Sequence, residues 1–91
     1  MSAASDPRVT PSADAALRRV GDGAVLVLAH SGRVFELNDT AARAWELAAS
    51  GLTRSAILSR LVEEYSGDRD AIAADLQELF DWLGAQGLLQ A

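Results

Sequence analysis

The chain of 91 residues contains no cysteine and no lysine, one histidine and two prolines. Without cysteine there is no disulfide, no thiolate metal ligand and no thiol nucleophile. The single histidine, His30, lies in a Ser/Gly turn with nothing nearby to build a metal centre or a catalytic triad around it. It reads as a solvated turn residue. Glu63 and Glu64 are sequence neighbours at a helix end and read as a solvated face rather than an acid–base couple. The glycines form no phosphate-binding loop. The sequence therefore points away from catalysis and implies no cofactor.

Long apolar runs are also missing. The longest, residues 24–29, falls far short of the roughly 18 residues that span a membrane. The N-terminus has no basic region followed by an apolar stretch, so no secretory signal is expected and a cytoplasmic location is the default. Basic residues are few: eight arginines stand against thirteen acids, and beyond Arg69 there is no base while Asp70, Asp75, Glu78 and Asp81 follow. Such a surface repels phosphate backbones, which argues against nucleic acid as a natural partner.

What is present is one domain's worth of apolar residues in clear periods. Residues 1–14 hold Pro7 and Pro11 without apolar periodicity and read as a flexible tail, leaving 15–91 as the domain. Three short strands are expected at 16–20, 24–29 and 33–37, separated by Gly21-Asp22-Gly23 and His30-Ser31-Gly32, both turn compositions. The middle strand is apolar throughout, which suits a central strand covered on both faces. In the third, Phe35 and Leu37 share one face and Val34 and Glu36 the other.

Three helices follow. Asn38 caps the first, with Asp39 in its opening turn and Ala41, Ala44, Trp45 and Ala48 at helical spacing up to Gly51. Thr53 caps the second, with Ile57, Leu58, Leu61, Val62 and Tyr65 inward. The third runs from about Asp68 to Gly84 with Ile72, Leu76, Leu79 and Leu83 as its stripe and Phe80 at the margin. The order of strands then helices gives an α+β domain: a three-stranded antiparallel sheet followed by three helices. Trp82 lies roughly 80° off the Leu76–Leu83 line, beside Asp75 and Glu78. Its ring either covers the sheet edge as core or lines a groove.

Several stretches in this order carry a resemblance: Gly23-Ala24-Val25-Leu26, Gly32, Phe35-Glu36-Leu37-Asn38, Ala44-Trp45-Glu46-Leu47, Gly51-Leu52-Thr53 and Ile57. Leu61, Tyr65, Asp75, Leu79, Leu83 and Gly87-Leu88-Leu89 continue it. From about residue 15 to 89 the chain resembles the PqqD family, winged-helix-like domains also called RiPP recognition elements. The resemblance implies a peptide chaperone that binds the leader of a ribosomally made precursor and presents it to a modifying enzyme or leader peptidase in trans. Pathways of this kind include lasso peptide and PQQ biosynthesis. In the family the leader adds as an antiparallel strand to the third strand, facing the third helix. Carried onto this chain, those elements hold Arg33, Val34, Phe35, Glu36, Leu37, Asp75, Leu76, Leu79, Trp82 and Leu83; the role of Trp82 is inferred from its position alone. Ending at residue 91, the chain has the look of the free-standing form.

Strand addition derives affinity from main-chain hydrogen bonds and specificity from side-chain pockets. Phe35 and Leu37 are expected to floor the cleft if left uncovered, with Leu76, Leu79 and Leu83 as its helical wall. Asp75, Glu78 and Asp81 would favour a basic residue near one end of the leader. The same free edge also suits pairing with a second copy of the chain. Two other readings stay open: a structural subunit docking to an enzyme without touching peptide, and a winged-helix DNA binder, which the acidic third helix opposes.

Overall fold

Turn chemistry sets the sheet. In the computed structural model, which describes residues 8–90, β2 (Ala15–Val20) and β3 (Gly23–Leu28) are joined by two residues. Gly21 takes φ 57°, and no described non-glycine residue has a positive φ. This is the glycine-first hairpin turn, whose twist matches that of antiparallel strands. A second turn, closed by Gly32 at φ 73°, leads into β4 (Arg33–Leu37), giving the antiparallel order β2-β3-β4. Gly23 is obligatory for a different reason. A Cβ there would meet the Leu37 carbonyl oxygen at 2.5 Å, where the end of β4 crosses the start of β3.

Three helices follow as the sequence leads one to expect: α1 (Asp39–Ala49), α2 (Arg54–Glu64) and α3 (Arg69–Ala85). Each begins on a side-chain cap. Asn38, Thr53 and Asp68 accept from the backbone amides of Ala41, Ala56 and Ala71, satisfying donors that a helix start leaves free. Gly51 at φ 93° and Gly87 at φ 78° terminate α1 and α3. In both, the following amide reaches back to the carbonyl five residues earlier, Leu52 to Leu47 and Leu88 to Leu83, the glycine-dependent helix stop.

The helices pack on one face of the sheet, where Ala24, Leu26 and Leu37 meet Trp45, Ile57, Leu61, Phe80 and Leu83. Leu26, Ile57, Leu61, Leu83 and Leu88 are the largest fully buried side chains; each such leucine or isoleucine stabilises the fold by ~1.5–3 kcal/mol. Two expectations change. The middle strand β3 is central but covered on one face only, so Val25 and Val27 stay half-buried, because no described element lies on the far side. On α3 the stripe rotates: Phe80 is core, while Ile72 and Leu79 are only half-buried. Leu76 and Leu83 stay buried, so the inward line of α3 runs Leu76–Phe80–Leu83.

The expected tail is also partly built in. Residues 1–7 lie outside the described residues, but Val9 is buried in the core. Thr10–Pro11 forms β1, paired antiparallel with β5 (Leu89–Gln90). These two short strands make a second sheet away from β4, and the Ser12 amide donates to the Leu88 carbonyl to close it. No described helix is long and apolar enough to cross a membrane.

Candidate peptide-binding site

β4 is the outer strand of its sheet and carries no second neighbour among the described residues. Antiparallel pairs alternate between hydrogen-bonded and non-bonded. Counting from the pair Val20–Gly23 that flanks the two-residue turn, Phe35 and Leu37 direct their main-chain groups to β3. The amides and carbonyls of Val34 and Glu36 therefore face outward. Their side chains lie on the solvent face; Val34 is 58% exposed.

Beside the far end of this strand, α1 and α3 diverge around an open cleft of about 580 Å³. One wall comes from the start of α1, with Asn38, Thr40, Ala41 and Ala44. Leu76, Leu79 and Trp82 of α3 form the other, rimmed by Asp75 and Glu78, with Leu61 of α2 at the base. The small residues at 41 and 44, about one helical turn apart, leave the space that larger side chains would fill. Among the described residues neither Asp75 nor Glu78 has a hydrogen-bond or ion-pair partner.

At the near end of the strand a chain of contacts links β4 to α3. The Phe35 ring meets Trp82 edge-on, with centroids 5.4 Å apart and planes at 85°. The Arg33 guanidinium stacks over Phe35 at 4.9 Å and donates to Gln86 Oε1 at 2.7 Å. Arginine over an aromatic face and edge-on aromatic pairs are both attractive geometries.

The ten residues singled out from sequence thus divide. Arg33, Phe35, Leu79 and Trp82 meet around the cleft or its approach. Leu76 lines the cleft yet is largely buried, and Asp75 stands on the rim. Val34 and Glu36 sit on the outward side of the strand. Leu37, 6% exposed, and Leu83, fully buried, belong to the core. Leu37 is covered, so the cleft takes its floor from Leu61 instead. Asn38, Thr40, Ala41 and Ala44 are cleft residues the sequence does not single out as such; the shared face and small size of the three on α1 are the available signal.

The α1 wall is held by charge. Arg19 on β2 donates to Asp39 at 2.7 Å and, with two nitrogens, to both Glu46 oxygens at 3.1 Å. Arg43 grips Glu64 of α2 at 2.8 and 2.9 Å. The Tyr65 hydroxyl donates to Asp39 at 2.6 Å. These partners hold the carboxyls below their ordinary ranges: Asp39 through Tyr65 and then Arg19, Glu46 chiefly through Arg19, Glu64 chiefly through Arg43. The same bond to Asp39 pushes the Tyr65 phenol up to about 12. Among the described residues no group of three or more acids or histidines is placed to hold a metal ion.

Residues 23–89 match the family described as coenzyme PQQ synthesis protein D, PqqD. Among solved structures, TbiB1 in complex with the TbiA(beta) leader peptide superposes with a TM-score of 0.82 at 27% identity, over 90% of this chain and 95% of that one. Lasso peptide synthetase B1 complexed with the leader peptide gives 0.81 at 24% identity, over 93% and 100%; at that identity it shows a shared fold. No curated protein matches by sequence.

Proposed function

The chain belongs to the PqqD family, and from that premise we propose that it is a non-catalytic chaperone for a ribosomally made precursor peptide. The leader of the precursor lies antiparallel along the free edge of β4 as a fourth strand. Alternate side chains of the leader turn toward the α1–α3 cleft, and the segment beyond is presented to a modifying enzyme or leader peptidase acting in trans. One observation carries this reading: a strand edge without a partner among the described residues, beside an apolar cleft, in a fold shared with a structure that holds a leader peptide.

The energetics favour a specific but moderate binder. Outward main-chain groups at Val34 and Glu36 supply hydrogen bonds open to any extended peptide. Discrimination comes from the cleft, where each apolar anchor contributes ~1.5–3 kcal/mol before ordering costs. A second copy of this chain would use the same edge, so self-pairing and leader binding compete.

Titration of ¹⁵N-labelled protein with synthetic leader peptides of lasso-type precursors tests the proposal. Shifts at residues 33–37 and along α3 are expected. Tight binding that leaves both unmoved, or a leader that does not bind at all, would refute strand addition; the second result would favour a docking subunit.

A further inference from the structure

The register of the sheet has a consequence for the leader. On the solvent face, pairing aligns Ala16–Val27–Val34 in one row and Arg18–Val25–Glu36 in the next. The first row is apolar and stops at the edge. The second ends on a carboxylate. Arg18 lies two strands away, about 10 Å at the usual spacing, and among the described residues Glu36 has no hydrogen-bond or ion-pair partner. Because the main-chain groups of Val34 and Glu36 point outward, an added strand sets its own residues directly opposite these two. Side chains so placed interact: opposite charges attract, like charges repel, and β-branched pairs pack.

We propose, on the strength of the strand-addition reading, that Glu36 is a specificity-determining residue that selects a lysine or arginine in the leader, two positions before a β-branched residue set against Val34. Antiparallel direction fixes that order, since the leader residue facing Glu36 precedes the one facing Val34. The residue between them turns inward over Phe35 and Trp82 and is apolar. Asp75 and Glu78, exposed on the α3 rim of the cleft, add the same sign of field on the inner side. Arg33 marks the opposite end of the strand and is held by Gln86 rather than by a carboxylate. The peptide this edge accepts is therefore basic toward its N-terminal part.

A random dodecapeptide library displayed on phage, selected in parallel on the wild-type chain and on Glu36→Lys, tests this. Glu36 is exposed and has no partner among the described residues, so the variant should fold; the α3 and core amide resonances check it. The wild type should enrich lysine or arginine two residues before valine, isoleucine or threonine, and Glu36→Lys should enrich aspartate or glutamate at that place. Synthetic peptides differing only there should differ in Kd by about three- to tenfold, the range of an exposed cross-strand pair and its like-charge reverse. Selected peptides that shift the β4 amides while showing the same charge preference on both proteins would overturn the role of Glu36 and leave strand addition standing. Selected peptides that leave the β4 amides unmoved would overturn the binding site as well.

Discussion

Phe35 and Trp82 meet edge to face across the gap between β4 and α3, 5.4 Å between ring centroids. One ring comes from the strand that offers its edge, the other from the helix that walls the cleft. Trp82 is 39% exposed, which leaves one side of the indole free to receive a second apolar group.

Trp82→Ala should therefore separate folding from binding. Loss of the ring pair costs ~0.5–1.5 kcal/mol of stability, readable as a modest drop in urea midpoint. Removal of an aromatic anchor should weaken leader binding by about 2 kcal/mol, roughly thirtyfold. Trp45 is buried in the core and reports unfolding, so a fluorescence change on titration that disappears in the variant belongs to Trp82. Equal affinity in the two proteins would place the peptide elsewhere.

Leu79 and Leu83 sit one turn apart on α3 and should behave oppositely. Leu79 is half-buried at the cleft, and Leu79→Asp sets a charge among apolar groups that a bound leader would cover. The variant should fold while affinity falls at least tenfold, about 1.4 kcal/mol. Leu83 is fully buried; Leu83→Ala should cost ~2–5 kcal/mol of stability. Thermal unfolding and calorimetric titration of both variants decide the matter. A folded Leu79→Asp protein with undiminished affinity counts against the cleft.

Much of this arrangement is legible in the sequence alone. The three strands, their turns and the three capped helices follow from glycine placement and apolar period, because local chemistry decides them. Phe35 and Trp82 could be flagged, yet their contact depends on how far α3 swings from the sheet, a tertiary quantity. Leu37 alternates correctly but gives no sign that α1 covers it. The cleft residues of α1 are alanines and a threonine, and small residues mark a cavity only once the opposite wall is known. Thr10 and Pro11 are too few to show a strand period; their pairing with Leu89 and Gln90 spans nearly the whole chain.

That long-range pairing should matter to stability. Val9 is buried beside Trp45 and Ala48 in the core cluster, and β1 holds the end of the chain through β5. Val9→Ala should lower stability by about 1–2 kcal/mol, the usual scale for deleting two buried methyl groups. Peptide affinity of the folded fraction should stay unchanged, since β1 lies in a sheet separate from β4. A chemical-denaturation series and a peptide titration on the variant check both halves. A large loss of affinity would mean that the two sheets are coupled.

The charge clamp on α1 predicts how stability varies with pH. Asp39 and Glu46 are held below their ordinary values of 3.8 and 4.5, and Glu64 below 4.5. A depressed carboxyl stabilises the fold fully above its unfolded value and loses that contribution as pH falls through the folded one. Stability should therefore decline from about pH 4.5 downward. Tyr65 acts at the other limit. Its folded value of about 12 lies above the ordinary 10.0, so its contribution is complete below pH 10 and is lost as pH rises toward 12. Arg19→Met removes the cationic partner of Asp39 and the main one of Glu46, leaving Arg43 beside Glu46 at 3.5 Å and Tyr65 bonded to Asp39. In that variant the acid slope should become shallower, with the share from Arg43–Glu64 and Tyr65–Asp39 remaining, and the alkaline slope should persist, whereas Tyr65→Phe should flatten the alkaline slope and reduce the acid one in part. Urea midpoints across the pH range measure both. Identical acid slopes in wild type and Arg19→Met would show that the two ion pairs of Arg19, though well placed beside α1, add nothing to the stability of that wall.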